Sequence, residues 1–355
     1  MTSQMISSSA FTNATVRAGE HVVVYPTFGY PIDGGDAYCI AVQGTIYASG
    51  SISLRKRMMI RLLKRFMRVD PSEIDQEIFD ARIRGFATPT VRGRRVAIQV
   101  GREVFPLKKA TNRAGHFRGN ITIPRQRIEQ ASEDGDWLSL RVLSHDPDTQ
   151  FEGRAKLLKH EGVSVISDID DTVKHSNVIS KQELLANTFL REFQFIDGMS
   201  EQYNLWAQQG ASFHYVSSSP WQLYEPLTQL CAEGEFPEGP FHLRAFRLRD
   251  HMLRRLLLLR RPGKSKVIRR LIERFPERRF VLIGDSGEKD PEIYASMVRR
   301  FPRQVTKVYI RQLAAKPLTE QRCCKLFKNG HRPICSLFEN ADELPSELPG
   351  MGDRS

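Results

Sequence analysis

Long apolar runs are absent from this 355-residue chain: no stretch of 18 or more residues is solidly apolar. The nearest approach, Ala37 to Leu54, carries no charge but is broken by Gln43, Gly44, Thr45, Gly50 and three serines. It is expected to form strand and turn, not a membrane span. The first nineteen residues lack the apolar core of a signal peptide, so a soluble, cytoplasmic protein is expected. Cysteine is scarce: five residues, an odd number at irregular spacing and with no CxxC pair, fit reduced thiols better than a disulfide framework. The one cluster, Cys323, Cys324, His331 and Cys335, begins with adjacent cysteines, which are poor partners in a tetrahedral zinc site. PxxP segments are scarce, and there is no internal repeat. No nucleic-acid motif accompanies the basic residues, so a nucleic-acid partner is not expected.

What is present is positive charge in two places. The net charge is +12, yet residues 55–68 contribute +7 and residues 244–279 contribute +11, which leaves −6 on the rest of the chain. Clustered cations mark an anionic partner, whereas a diffuse excess mainly aids solubility. In the first cluster Met58, Met59, Leu62, Leu63 and Phe66 fall on one side of a helix at 100° per residue, and Arg57, Arg61, Lys64 and Arg68 on the other. Such a basic amphipathic helix either packs its apolar side on the neighbouring domain or lies in a membrane interface with its cations near lipid phosphates. The second cluster runs through Arg254 to Arg261 and leads straight to Lys264.

The rhythm of the chain predicts four regions. Residues 1–19, rich in Ser and Thr, are expected to be a disordered tail. Residues 20–155 read as a β-rich, sandwich-like domain that includes the basic helix. Its strand signals are 21–25, 38–47, 81–86, 96–100, 117–123 and 137–143, spaced by Gly and Pro. Residues 156–315 alternate short apolar strands (163–166, 213–216, 280–283, 305–310) with helical patterns. That alternation predicts an α/β fold with a parallel sheet and helices on both faces. Residues 316–355 read as an appended C-terminal extension.

The chemistry collects at the ends of the predicted parallel strands. Strand 163–167 runs into Asp168-Ile169-Asp170-Asp171-Thr172, strand 213–216 into Ser217-Ser218-Ser219, and strand 280–283 into Gly284-Asp285 with Asp290 five residues on. Carboxylates so close together repel unless something positive sits among them, and the carboxyl edge of a parallel sheet is where ligands bind. A hard, oxygen-liganded ion, Mg²⁺ for preference, would use Asp168, Asp170, Asp285 and Asp290, a backbone carbonyl among the donors. Asp168 then suits a nucleophile that forms an aspartyl phosphate, and Asp170, two residues on and facing the same way, suits the acid/base. Ser217 and Lys264 would hold the phosphoryl oxygens by a hydrogen bond and a charge. Asp171 and Thr172 are expected to satisfy backbone donors, Ser218 and Ser219 to cap the next helix, and His214 to be a core histidine.

The segments Ser167-Asp168-Ile169-Asp170-Asp171-Thr172-Val173-Lys174, Tyr215-Val216-Ser217-Ser218-Ser219-Pro220-Trp221 and Ile283-Gly284-Asp285-Ser286-Gly287-Glu288-Lys289-Asp290, with a lysine at a helix start, resemble the haloacid dehalogenase (HAD) superfamily. More narrowly they resemble the actin-patch phosphatidate phosphatase family. The resemblance covers about 160–312. It implies a HAD-like, Rossmannoid catalytic domain and a Mg²⁺-dependent phosphatase that converts phosphatidate to diacylglycerol and phosphate, and it favours Lys264 over Lys266 as the phosphate-binding lysine. The connections from DIDDT to the serine strand and on to Lys264 are too short for a large cap, so the site is expected to be open to a phosphate on a bulky carrier, and the protein to work as a peripheral enzyme on an anionic membrane surface. The same chemistry on a soluble phosphomonoester, and an anionic-lipid binding module without activity, are the alternatives.

Overall fold

A computed structural model of the chain describes residues 16–50, 57, 60–61, 65, 67, 75–133, 135–146, 149–244, 263–328 and 334–350. Most of the tail 1–19, most of the basic helix 54–68, the basic run 254–261 and His331 lie outside the described residues. The chain divides into two compact units, one of residues 1–54 and 86–159, the other of residues 55–85 and 160–355.

In the first unit nine strands are described: β1 (His21–Val24), β2 (Thr27–Ile32), β3 (Ala37–Tyr47), β4 (Ala97–Val100), β5 (Glu103–Pro106), β6 (His116–Pro124), β7 (Ser132–Glu133), β8 (Trp137–Val142) and β9 (Phe151–Leu157). They join in the order β1-β3-β2-β9-β8-β4-β5, with β6 on β3 and β7 on β8. All these pairs are antiparallel except β2 with β9. The eleven-residue β3 organises the sheet, taking β2 along its first half, β1 along its second and β6 on its other edge. Alternation explains the register: Leu138, Leu140 and Val142 of β8 are buried while Ser139 between them is exposed.

The segment 81–86, expected as a strand, is part of helix α1 (Gln76–Ala87). Phe79, Ile83 and Phe86 are all buried, at positions i, i+4 and i+7. Asp75 Oδ1 caps the first turn, accepting from the amides of Glu77 (2.9 Å) and Ile78 (3.0 Å). Read from Ala81 onward, the alternating Arg82-Ile83-Arg84 mimics period 2, and the helical spacing shows only when Phe79 is included. Up to Gly85 α1 groups with the second unit, and in the first unit the helix α2 (Arg125–Ala131) follows β6.

The second unit holds a wholly parallel sheet of six described strands in the order β12-β11-β10-β13-β14-β15, where β10 is Val163–Ser167, β11 Ser212–Pro220, β12 Phe241–Arg244, β13 Arg279–Asp285, β14 Val305–Arg311 and β15 Cys335–Phe338. All five residues of β10 are buried, as expected of a central strand covered on both faces. The helices are α3 (Lys181–Phe189), α4 (Met199–Gln208), α5 (Tyr224–Glu233), α6 (Gly263–Arg274), α7 (Asp290–Arg300) and α8 (Glu320–Leu326). From β10 the chain adds β11 and β12 to one side, then returns to place β13 against the other. The strand order therefore reverses between β10 and β13, and a crevice opens at the carboxyl ends of this pair.

The C-terminal segment, read as an appendage, completes this unit. β15 pairs with β14, and the carbonyl of Pro345 accepts from Trp206 Nε1 (2.9 Å) and Gln202 Nε2 (2.7 Å) of α4. Leu344 and Leu348 are buried. Short, mixed-polarity edge strands give little apolar signal, which is why the sequence pattern hid them.

Candidate active site

The crevice between β10 and β13 collects the chemistry. One residue beyond β10, the Asp168 amide still donates to Ile283 O at 2.9 Å, which carries Asp168 out in line with the strand. The chain then closes a tight loop: the Asp171 amide donates to Lys174 O (2.8 Å), with Asp171 in the left-handed region at φ 54°. Aspartate tolerates that region better than most residues. The Asp171 carboxylate accepts from the amides of Ser176 (2.7 Å), Asn177 (2.9 Å) and Val178 (2.7 Å), the backbone-satisfying role expected of it. Thr172 Oγ1 is buried without a hydrogen-bond partner, so it does not share that role.

Two charge clusters result. In the first, Lys264 Nζ at the start of α6 lies 3.0 Å from Asp168 Oδ2, 2.5 Å from Asp290 Oδ1 and 3.8 Å from Glu288 Oε2. Asp168, Glu288 and Asp290 each offer an oxygen within 4.8 Å of the others. Gly284 permits this packing, because a Cβ there would collide with the Asp290 carboxylate. Asp285 is held by the amides of Gly287 (2.6 Å) and Glu288 (2.8 Å) on Oδ1, while its buried Oδ2 has no hydrogen-bond partner. Burial pushes the Asp168 carboxyl well above its ordinary value despite Lys264, and pushes Asp285 to about 7 and Glu288 to about 8. Lys264, whose burial alone would lower it, is held well above its ordinary value by Asp168 and Asp290.

In the second cluster Asp170 Oδ1 accepts from Lys174 Nζ (2.8 Å) and Ser176 Oγ (2.7 Å), and Oδ2 from Ser217 Oγ and Ser219 Oγ, both at 3.2 Å. Lys174 also donates to Ser176. Burial pushes Asp170 up, but Lys174 and the hydroxyls outweigh it and hold the carboxyl at about 2.

The structure thus brings Asp168, Lys264, Asp285 and Asp290 to one crevice, and sets Asp170 and Ser217 beside each other in a distinct network. Lys174, Ser176 and Glu288 were not singled out from the sequence, although Lys174 and Glu288 stand inside the quoted motifs. Ser219, expected to cap a helix, instead donates to Asp170. His175 is exposed and lines a separate polar groove with Asn177, Arg311 and Asn340. His214 is fully buried and 3.3 Å from His242, as expected of a core histidine. Cys323 and Cys335 lie 3.9 Å apart as free thiols.

A buried crevice at the switch point of a parallel sheet, lined by carboxylates and a buried lysine, marks the candidate ligand site of an α/β domain. Residues 163–312 match the family model described as phosphatidate phosphatase APP1, catalytic domain. The chain is 29% identical over 248 residues to phosphatidate phosphatase APP1 of Saccharomyces cerevisiae, covering 67% of this chain and 41% of that one. It is 31% identical over 209 residues to an uncharacterized protein of Schizosaccharomyces pombe, covering 58% of this chain and 34% of that protein. The chain therefore spans well under half the length of these curated relatives. Among solved structures, a β-glucuronidase of Parabacteroides merdae overlaps 83% of this chain and 34% of its own at 13% identity, with a TM-score of 0.24 that defines no shared fold.

Proposed function

We propose that the protein is a Mg²⁺-dependent phosphatidate phosphatase with a HAD-like catalytic domain, acting through an aspartyl phosphate on Asp168. The observation that carries the reading is the convergence of Asp168, Glu288 and Asp290 within 4.8 Å around Lys264 at the sheet's switch point. The donor set fits the ion: all are hard carboxylate oxygens, and Asp285 Oδ2 is buried without a donor. Asp168, Asp285, Glu288 and Asp290 would hold it, with Glu288 added to the set that the sequence suggested and Asp170 contributing through its backbone. When bound, the ion would neutralise phosphoryl charge that otherwise repels the attacking carboxylate.

Asp168 attacks phosphorus, the ester P–O bond breaks, and the leaving oxygen takes a proton from Asp170. Water then attacks the aspartyl phosphate as Asp170 takes its proton, the bond to Asp168 breaks, and inorganic phosphate leaves. In the ligand-free network Asp170 is a carboxylate, the form that serves the second step. An arriving phosphoryl dianion raises its pKa and competes for the Ser217 hydroxyl, which prepares the acid step. Lys264 supplies a fixed charge to the phosphoryl oxygens and Ser217 a hydroxyl donor. The basic stretches 55–68 and 244–279 support action as a peripheral protein on anionic membrane, and among the described residues no helix is long and apolar enough to cross one.

Phosphate release from phosphatidate-containing vesicles is expected to require Mg²⁺ and to vanish in Asp168→Asn. Undiminished turnover in that variant would overturn the mechanism. Equal or better rates on sugar or nucleotide phosphates would instead favour a soluble phosphomonoester as substrate, and vesicle binding without phosphate release would favour a lipid-binding module.

A further inference from the structure

The loop after β13 holds Asp285 by two backbone amides, and one of those peptides is itself held from outside. The Glu288 amide donates to Asp285 Oδ1 (2.8 Å), and the carbonyl of the same peptide unit, Gly287 O, accepts from Lys316 Nζ (2.6 Å). A trans peptide is planar, with its C=O and N–H pointing to opposite sides. One rigid plate therefore carries the Lys316 ammonium at one end and the Asp285 carboxylate at the other. The plate is tightly packed: a Cβ on Gly287 would lie 2.7 Å from Leu313, 2.8 Å from Val178 and 2.9 Å from Asp285 Oδ1. The segment around Lys316 grips the same loop elsewhere. Ser286 donates its amide to Arg311 O (3.0 Å) and accepts on Oγ from the Leu313 amide (2.9 Å), while the Lys316 amide closes a turn onto Leu313 O (2.9 Å). Lys316 is half-buried and stands beyond residues 163–312, the part of the chain that matches the family model.

We infer that Lys316 is a positioning residue for the ion site: it fixes the Gly287–Glu288 peptide, which fixes Asp285 with Oδ1 spent on amides and the buried Oδ2 left for the ion. This role rests on the reading of Asp285 and Glu288 as ion ligands. A cationic donor on the carbonyl polarises the peptide and strengthens the bond that its N–H makes to the carboxylate. The same peptide leads into the Glu288 Cα, so its orientation also sets where that side chain starts. Without Lys316 the Gly287 carbonyl is free to turn toward water, and ordering the loop becomes a cost that ion binding must meet. Groups that orient metal ligands from behind typically change affinity by roughly 10–100-fold when removed. Charge alone predicts the opposite. A lysine near a cation site repels the ion, so its removal would tighten binding through space. The direction of the change therefore separates positioning from simple electrostatics.

The test titrates the full chain with Mn²⁺, which takes the same oxygen ligands as Mg²⁺, and reads free Mn²⁺ by electron paramagnetic resonance. In Lys316→Met the dissociation constant is expected to rise about tenfold. In Lys316→Arg, which keeps a cationic donor, it is expected to return toward the wild-type value. Metal-free thermal melts establish that the variants are folded, and Lys316→Ala carries the same expectation should the methionine variant not fold. An unchanged or lower dissociation constant in the folded variant overturns the inference. Hydrogen exchange of the segment holding Gly287 and Glu288, followed by mass spectrometry on the metal-free chain, reads the clamp without any ion. Faster exchange in Lys316→Met than in the wild type supports it, and an unchanged rate overturns it. No Mn²⁺ uptake by the wild type would sink the ion reading itself, and the clamp would then stand or fall on the exchange rates.

Discussion

Individual side chains in this crevice are held by opposite charges in very little water, so single substitutions are expected to act strongly. Lys264 is the only cation within 4 Å of Asp168 among the described residues, and it also pairs with Asp290. Lys264→Met leaves buried carboxylates uncompensated, and urea denaturation in the presence of a chelator should show a loss of about 3–5 kcal/mol. Lys174 acts differently, because it holds Asp170 at about 2. In Lys174→Met burial prevails and the Asp170 carboxyl moves above its ordinary value. The acid limb of the pH–rate profile should therefore shift to higher pH, and an unshifted limb would show that Lys174 does not tune Asp170. Legibility at this scale follows from locality. Asp168, Asp170 and Asp285 were readable because each sits directly past an apolar strand. Glu288 and Lys174 were not, because their roles depend on which way a loop side chain turns, and nothing in neighbouring residue types encodes that.

At the scale of elements, neighbouring strands and helix ends carry further consequences. His214 of β11 and His242 of β12 are buried 3.3 Å apart, and burial lowers both: His214 well below its ordinary value and His242 to about 4. The unfolded chain, with histidines titrating near 6.5, binds more protons than the native state between about pH 4 and 6.5, so stability present above pH 6.5 is lost as pH falls through that window. His242 alone should account for about 3 kcal/mol. Urea midpoints compared at pH 7.5 and 5.0 should fall accordingly, and less steeply in His242→Gln. Arg82 is buried with its guanidinium donating to the carbonyls of Thr188 (3.2 Å) and Arg191 (2.5 Å), at the C-terminal end of α3. Burial lowers Arg82 to about 10, which leaves it charged at neutral pH and favourable against the helix dipole. Arg82→Met should cost about 2–4 kcal/mol by chemical denaturation. Strand 280–283 was legible as a continuous apolar run, and 163–166 and 305–310 as short, mainly apolar segments, of buried parallel strands. β12 and β15 were not, since edge strands of four residues need be apolar on one face only.

For the whole molecule, charge and chain order matter more than any one contact. The net +12 first indicated only an anionic partner, but its distribution assigns +7 to residues 55–68 and +11 to residues 244–279, which run through α6 with Lys264, and leaves −6 on the rest of the chain, which includes the crevice carboxylates. Vesicle binding is therefore expected to weaken steeply with salt, as polybasic contacts with anionic lipid do; co-sedimentation at 50 and 500 mM NaCl measures it, and a salt-independent result would remove the electrostatic role. Equally, the second unit is not closed by its motif-bearing residues. β15 covers the edge of β14, and Pro345 satisfies Trp206 and Gln202. This has a temporal meaning on the ribosome. The strand before Asp168 is complete well before β15 is made, and the longer β14 keeps an unpaired outer edge until residue 338 has emerged. The nascent second unit thus exposes the edge of β14 to edge-to-edge association throughout that interval.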